Sequence, residues 1–209
     1  MKKLESSITN MVLVLVGVAL VTGGILAYVN NITQEPIKKQ AENTLAEGIK
    51  AVMGGVDLTV TKEDTVKQTN SGKEFTFVIH EAVGSDNQPI GAAVESTTSG
   101  FGGDLKVLVG FNNNGEILGY TILQHSETPG LGAKADKWFQ KDGKGCIIGK
   151  NPDKDNLTVT KDGGAIDAIT ASTITSRAFL LAVNQAYQAY KSRPVDASTG
   201  ASSHYQKEK

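Results

Sequence analysis

A cluster of hydroxyl side chains in the segment Asp167 to Ser176 is the first candidate for chemistry in this chain. Its members are Thr170, Ser172, Thr173, Thr175 and Ser176. The apolar residues that follow recur at helical spacing and predict a helix over Ile174 to Lys191, with one face formed by Phe179, Ala182, Val183, Ala186 and Tyr190. The hydroxyls therefore lie at its N-terminus. A first helical turn carries unpaired N–H groups and the positive end of the macrodipole, which stabilise a bound phosphate. The cluster is therefore a candidate anion site, and the alternative is that these residues only cap a helix.

The second candidate is a glycine-containing loop with the sequence His125-Ser126-Glu127-Thr128-Pro129-Gly130-Leu131-Gly132. Proline before glycine predicts a tight turn, and glycines let backbone amides approach a flat ring without an intervening side chain. An ordinary surface turn is the alternative interpretation. Trp138 follows this loop, and a single tryptophan either anchors a core or stacks on a bound ring.

Composition argues against several other kinds of site. The chain has 209 residues, 39% of them hydrophobic, and a formal net charge of −1, so we predict a globular domain without a nucleic-acid partner. Cys146 is the single cysteine, which cannot form a disulfide within the chain or hold an iron–sulfur cluster. The three histidines, His80, His125 and His204, lack the close spacing of metal ligands, so we predict no protein-bound metal.

An apolar stretch from Met11 to Val29 predicts a transmembrane helix. No charge occurs between Glu5 and Glu35, and a span needs roughly 20 apolar residues. A secretory signal is the alternative, but its apolar core is shorter, about 7 to 15 residues. Lysines near the start favour a cytoplasmic tail at residues 1–10, although Lys38 and Lys39 on the other flank weaken this asymmetry.

The remaining pattern predicts an α+β fold. An amphipathic linker helix over residues 30–54 leads into one domain over residues 55–193, followed by a flexible tail at 194–209. Short β-rich runs predict strands at residues 56–60, 75–80, 90–97, 105–111 and 117–123. Asn112 to Gly115 predicts a tight antiparallel hairpin. We therefore expect a single domain with a twisted, mainly antiparallel sheet packed against helices.

The second half of this domain is predicted to be less regular. Residues 124–154 are rich in glycine and charge, and they predict a long loop with a short helix near Trp138 and Phe139. Two more short strands are predicted at residues 157–160 and 165–169. Pro194 is predicted to end the helix that follows the hydroxyl cluster.

The run Asp167-Ala168-Ile169-Thr170-Ala171-Ser172-Thr173 resembles the flavinylation motif of the family that comprises RnfG of the Rnf electron transport complex and NqrC of the Nqr complex. That motif is roughly Asp-x-x-Ser/Thr-Gly-Ala-Thr, and a flavin transferase that uses FAD esterifies its last threonine to the phosphate of FMN. Thr173 stands at the acceptor position, and Ala171-Ser172 replaces the usual Gly-Ala. The run Glu127-Thr128-Pro129-Gly130-Leu131-Gly132 is similar to a second signature of the family, whose loop lies against the flavin.

The resemblance implies a set of cofactor-binding residues and no catalytic acid, base or nucleophile. The implied contacts are Thr173 as the covalent attachment point and Asp167, Thr170, Ala171, Ser172, Glu127, Thr128, Gly130, Leu131 and Gly132. A similar run, Asp196 to Ser202, ends in serine and is followed by no predicted helix. Thr173 is therefore preferred over Ser202 as the attachment residue, because a helix terminus supplies the anion site.

The function implied by the resemblance is that of an anchored subunit of the Rnf complex, an ion-translocating ferredoxin:NAD oxidoreductase, which relays electrons through covalent FMN. The implied partners are the other membrane and peripheral subunits and the flavin transferase. The implied location is the cell inner membrane, with one pass, the N-terminus inside and the FMN domain on the periplasmic side. The alternatives are a carrier like NqrC, another extracytoplasmic flavin carrier, or a tethered scaffold without a redox role.

Overall fold

The computed structural model describes residues 8–55, 58–70 and 72–195. It divides into two units, Met1–Thr44 and Leu45–Lys209. The first helix, α1, spans Ile8–Val52. No break in α1 marks the predicted boundary between a span at residues 11–29 and a linker helix at residues 30–54.

The described part of the first unit is helical, and a long stretch of it is apolar. An 18-residue window of α1 has a mean hydropathy of 2.5, and none of it is buried. Within the described ranges, α1 is the one helix long and apolar enough to cross a membrane. Side chains such as Leu13, Leu15 and Leu20 are 65% to 74% exposed. Apolar side chains arranged in this way are stable where lipid surrounds the helix.

The second unit is built on a five-stranded antiparallel sheet whose strands lie in sequence order. Every neighbouring pair is antiparallel. This confirms the predicted α+β class and the mainly antiparallel sheet. The strands are β1 (Leu58–Asn70), β2 (Lys73–Gly84), β3 (Pro89–Ser99), β4 (Asp104–Asn112) and β5 (Ile117–Gln124).

The first two strands are much longer than the sequence pattern predicts. The strand predicted at residues 56–60 is observed as β1, which continues to Asn70, while residues 56 and 57 lie outside the described ranges. Most of β1 is exposed, so its sequence lacks the apolar alternation of a half-buried strand. β1 is instead held by backbone pairing with β2, which does not depend on apolar side chains. The predicted hairpin between β4 and β5 is confirmed, with Gly115 at a φ of 82°.

Apolar side chains pack on both faces of this sheet. One face carries Val94, Val107 and Val109, which pack against the helix α3, Thr173–Tyr190. The members of α3 on this face include the predicted Phe179, Ala182, Val183 and Ala186. The opposite face carries Ala93 and Leu108, which cluster with Ile49, Val52 and Met53. Because β-strand side chains alternate, successive residues of β3 and β4 supply the two layers in turn.

Residues 125–172 connect β5 to α3 and include the long loop predicted at residues 124–154, but the two strands predicted after that loop are absent. This connection contains two short 3-10 helices, Gly132–Lys134 and Thr160–Asp162, and the predicted short helix, observed as α2, Ala135–Trp138. The strands predicted at residues 157–160 and 165–169 are wrong, since they meet only in one parallel bridge between Val159 and Ile166. The apolar side chains of these two segments are buried in the same cluster as those of α3. Packing against α3 therefore shields them from water without strand pairing.

The C-terminal end of α3 also differs from the prediction. The helix ends at Tyr190, before Pro194, because Ser192 adopts a φ of 54° and the Arg193 N–H donates to the Gln188 carbonyl. Val195 is then buried, and its N–H donates to Gln68 Oε1 at 3.0 Å. Residues 194 and 195 are the first two of the segment predicted as a flexible tail, and this hydrogen bond joins Val195 to β1. The rest of that segment, including Ser202, lies outside the described residues.

Candidate functional site

A cleft of about 340 Å³ lies where the two predicted motifs meet. It is bounded by the loop between β3 and β4, the loop after β5 and the first turn of α3. Residues of both motifs line it: Glu127, Thr128, Leu131, Gly132, Ala171, Ser172 and Thr173. Phe101, Ile174 and Thr175 complete the lining. A volume of this size is in the range of small-molecule sites.

The carboxylate of Glu127 joins the three segments that form the cleft. It is 6% exposed, and its Oε1 accepts hydrogen bonds from the N–H groups of Phe101 at 2.8 Å and Gly102 at 3.2 Å. Its Oε2 accepts a hydrogen bond from Thr175 Oγ1 at 2.7 Å. Hydrogen bonds to a buried carboxylate are strong, so Glu127 fixes the relative positions of both loops and the helix start.

Gly132 allows the loop after β5 to pack tightly against this carboxylate. A Cβ atom at position 132 would lie 2.4 Å from Glu127 Oε2 and 2.8 Å from Thr175 Oγ1. Gly100 is equally close on the other side, where a Cβ would lie 2.2 Å from Glu127 Oε1. The buried carboxylate therefore occupies the space that side chains at these two positions would need.

The predicted Pro-Gly turn is confirmed. The N–H of Leu131 donates to the carbonyl of Thr128 at 3.1 Å, and Gly130 between them has a φ of 76°. Proline at the second position and a positive φ at the third are the pattern of a type II turn. The turn brings Thr128 and Leu131 to the cleft, while Gly130 lies in a neighbouring pocket with Trp138.

The start of α3 is open towards the cleft. Ser172 stands at the N-cap position, but its side chain makes no capping hydrogen bond. The first backbone bond into the helix runs from the Ser176 N–H to the Ser172 carbonyl at 3.0 Å. The N–H groups of Thr173, Ile174 and Thr175 precede it and therefore have no intrahelical acceptor. Capping does not explain the hydroxyl of Ser172, and these donors suit an anion.

The other hydroxyls of the cluster have distinct environments. Ser176 is fully buried, donates to the Ser172 carbonyl and accepts from the Ile169 N–H, which is a structural role. Thr175 is committed to Glu127. Thr173 is half-buried in the cleft wall, and its Oγ1 accepts a hydrogen bond from Lys161 Nζ at 3.2 Å. Among these three hydroxyls, that of Thr173 is the one placed to react with a ligand in the cleft.

Ala171 has a left-handed backbone, with a φ of 61°. This conformation costs an alanine roughly 1 to 2 kcal/mol, and glycine adopts it without that cost. The Ala171-Ser172 pair is the point at which the sequence departs from the Gly-Ala of the motif it resembles. The departure therefore places a Cβ atom at a backbone position suited to glycine.

We expect Ala171→Gly to stabilise the protein by about 0.5 to 1 kcal/mol, since relief of the left-handed strain exceeds the added freedom of the unfolded chain. Thermal unfolding of the full chain in detergent measures this gain. Ala165→Gly is the matched control at an exposed residue of ordinary φ, and it should not stabilise the protein. A lower melting temperature for Ala171→Gly than for the natural sequence would contradict the assignment of strain.

Three of the predicted contact residues lie outside the cleft lining, namely Gly130 in the neighbouring pocket, Asp167 and Thr170. Asp167 and Thr170 are exposed on the segment that precedes α3. The carbonyl of Asp167 accepts a hydrogen bond from Trp138 Nε1 at 2.8 Å. Trp138 is half-buried against the main core, so its indole fixes the path of the motif at Asp167, outside the cleft lining. Direct contact with a cofactor remains a prediction for these residues and for the predicted residues that line the cleft.

Three residues at the site were not singled out from the sequence. Phe101 is 69% exposed at the cleft, and the glycines that surround it, Gly100, Gly102 and Gly103, are the sequence signal of a loop that packs closely against another segment. The sequence shows Thr175 as one of five hydroxyl residues and does not indicate its hydrogen bond to Glu127. Lys161 lies 12 residues before Thr173. It reaches the Thr173 hydroxyl from the 3-10 helix Thr160–Asp162, which follows a segment that the sequence predicts as a strand.

The described residues contain no group of three or more histidine, cysteine, aspartate or glutamate side chains placed to hold a metal ion. The site therefore consists of apolar walls, one buried carboxylate, an open helix terminus and a lysine. An anion with an apolar portion is the kind of ligand that such a combination suits.

The sheet, the cleft and the open helix define the class of protein. Residues 100–188, which contain all of the cleft, match the family model of the FMN-binding domain. Residues 1–52, which include α1, match the model of the RnfG N-terminal region. The chain thus combines an FMN-binding domain with an N-terminal region of the RnfG type.

Comparison along nearly the whole chain identifies the family. The chain is 33% identical to the G subunit of the ion-translocating oxidoreductase complex of Vibrio cholerae serotype O1, over 84% of this chain and 87% of the relative. It is 34% identical to the G subunits of the same complex from Shewanella baltica, over 80% and 82%, and Yersinia pestis, over 78% and 80%. The chain belongs to the family formed by the G subunits of ion-translocating oxidoreductase complexes.

Proposed function

We propose that this protein is the membrane-anchored flavoprotein subunit of an Rnf-type ion-translocating ferredoxin:NAD oxidoreductase, and that it relays electrons through FMN joined by its phosphate to Thr173. The observation that carries the proposal is the position of the Thr173 hydroxyl, which lines the cleft on the open first turn of α3. The match to the FMN-binding domain supports the identity of the cofactor.

The residues of the cleft and Lys161, which contacts Thr173 from outside the lining, fit FMN at both ends of that molecule. The apolar side chains of Phe101, Leu131 and Ile174 provide surfaces for a flat ring system. The free N–H groups at the start of α3 and the Lys161 ammonium provide partners for a phosphate. When bound, FMN would supply one- and two-electron chemistry, while the protein supplies position and electrostatics.

Covalent attachment requires chemistry that a second protein would provide. Thr173 Oγ would form a bond to the flavin-side phosphorus of FAD, the phosphoanhydride bond to AMP would break, and the hydroxyl proton would pass to a base of the flavin transferase. No oxidation or reduction accompanies this exchange. Thr173 is half-buried, so its hydroxyl remains accessible to another protein. We assign no catalytic acid or base to this chain.

The parts of the chain would have different tasks in such a complex. Residues 11–29 would cross the inner membrane once, with residues 1–10 inside the cell and the FMN-binding domain on the periplasmic side. Glu127 would hold the cleft in shape, and the ester at Thr173 would prevent loss of the cofactor outside the cytoplasm. The other subunits of the complex would supply and remove the electrons.

The test is flavin fluorescence of the denatured protein on a gel, after coexpression with a flavin transferase. We expect a fluorescent band, and no such band without the transferase. Trypsin separates the two possible attachment residues, since Thr173 falls in peptide 162–177 and Ser202 in peptide 192–207. The FMN mass on the first peptide supports the proposal, and its presence on the second assigns the attachment to Ser202.

Two further results would distinguish the alternatives. A colourless protein that remains unmodified in its native membrane would favour a tethered scaffold over an electron carrier. Copurification with membrane-embedded Rnf subunits would separate an Rnf relay from another extracytoplasmic flavin carrier, because fluorescence alone is the same for both. A fluorescent protein that never copurifies with those subunits would contradict the Rnf assignment while preserving the flavin site.

A further inference from the structure

We propose that Lys161 is the positioning residue for the phosphate of the flavin nucleotide, so that the cleft selects a phosphorylated flavin over riboflavin. This inference rests on the proposed function, because it concerns the same cleft and the same threonine. It adds a residue that lies outside both motifs and a role in recognition that precedes any covalent bond.

The geometry places one cation directly at the attachment atom. Lys161 Nζ donates a hydrogen bond to Thr173 Oγ1 at 3.2 Å. A phosphate bound or esterified at Thr173 must place its oxygens within a few ångströms of Oγ1, and therefore within reach of the same ammonium. The lysine side chain is exposed, so its charge is hydrated and available rather than committed to a buried partner.

The backbone that carries Lys161 is held firmly although its side chain is exposed. Lys161 is the middle residue of the 3-10 helix Thr160–Asp162. Its neighbour Asp162 receives two hydrogen bonds from Arg177 of α3, both at 2.6 Å, and the aspartate side chain is 8% exposed. The N–H of Thr160 donates to the Ile166 carbonyl at 2.9 Å. The bidentate ion pair between Arg177 and Asp162 thus holds this turn against the helix that begins with Thr173.

The distribution of charge explains why a lysine is useful here. Glu127 is the carboxylate in the cleft wall, and its oxygens already accept three hydrogen bonds. Asp167 is exposed and lies outside the lining. The helix terminus and Lys161 therefore present positive potential at Thr173, where a phosphate carries negative charge. The hydroxyl of Ser172, which is 8% exposed and makes no capping bond, lies beside this position in the cleft wall.

A purely structural role for Lys161 would be weak. A hydrogen bond between an exposed ammonium and a neutral hydroxyl contributes little to the stability of a protein, since water competes for both groups. The same ammonium interacts much more strongly with an anion than with a hydroxyl. Its effect should therefore appear in ligand binding rather than in folding.

The experiment measures noncovalent binding of FMN and riboflavin to the full chain in detergent, purified without a flavin transferase and followed by flavin fluorescence. Riboflavin carries the same ring without the phosphate, so the ratio of the two dissociation constants isolates recognition of the phosphate. We expect the natural sequence to prefer FMN by about 3- to 10-fold at low salt, with the preference falling as salt rises. Lys161→Gln should bring the ratio close to one, and Lys161→Arg should retain it.

Lys154→Gln is the matched control, because it removes the charge of another exposed lysine outside the cleft lining. It should leave the ratio unchanged. Equal ratios for Lys161→Gln and the natural sequence would overturn the inference, as would a natural protein that binds FMN no better than riboflavin. Failure of the proposed function is distinguishable, since it is measured separately, by the absence of the FMN mass on peptide 162–177 after coexpression.

Discussion

Thr173→Ala is expected to abolish covalently bound flavin in protein coexpressed with a flavin transferase, with in-gel fluorescence falling to background. Alanine lacks the oxygen that would form the ester, and the rest of the cleft remains. The Thr173 hydroxyl contributes only an exposed hydrogen bond with Lys161, so we expect the stability to change by less than about 0.5 kcal/mol. Gel fluorescence and thermal unfolding of the same preparation measure the two effects.

Two further variants serve as controls for this result. Thr173→Ser keeps a hydroxyl at the same place and should retain detectable flavin, whereas Ser202→Ala removes the competing acceptor and should retain full fluorescence. Fluorescence that persists in Thr173→Ala and disappears in Ser202→Ala would show that the attachment residue is the serine.

The second large effect is expected for Glu127→Ala, which should destabilise the protein by about 3 kcal/mol and prevent loading of the flavin. The change leaves the N–H groups of Phe101 and Gly102 and the hydroxyl of Thr175 without their acceptor, and unpaired buried donors are costly. For a chain of this size the melting temperature should fall by about 6 to 12 °C. Thermal unfolding and the flavin content per protein measure the two consequences.

Glu127→Gln tests whether Glu127 stabilises the protein through its hydrogen bonds or through its charge. A glutamine can still accept from the two backbone N–H groups and can donate to the oxygen of Thr175, so it should recover most of the stability that alanine loses. Equal losses for the two variants would mean that the carboxylate acts through its charge. Unchanged stability in Glu127→Ala would contradict the role of Glu127 as the joint between both loops and α3.

Local patterns predicted the elements that depend on local physics. The periodic apolar positions of α3 correspond to a buried helix face, because helical spacing alone brings Phe179, Val183 and Ala186 to one side. Asn112 to Gly115 and Pro129-Gly130 predicted turns, because the positive φ of each glycine is a property of that residue type. These features need no knowledge of distant contacts.

Other parts of the site depend on contacts between distant segments. The approach of Phe101 to the cleft requires the bonds from its loop to Glu127, which lies 26 residues later. The contact of Lys161 with Thr173 lies beside the ion pair between Asp162 and Arg177, which joins the turn of Lys161 to α3. The runs at residues 157–160 and 165–169 have the composition of strands, but α3 buries them without a ladder. A short apolar run has the same composition whether it forms a strand or an irregular segment buried under a helix, so the sequence does not distinguish the two.

Thr173, the proposed attachment residue, begins a helix whose remaining turns are packed into the main core. An FMN esterified there would be joined to the folded domain only through its own ribityl phosphate chain, with no additional protein or cofactor arm of the kind that moves cargo from one active site to another. The ring could reach no further from α3 than that chain allows. Electron transfer over larger distances would then require the whole domain to move, or neighbouring redox centres to come close to the Phe101 side of the cleft.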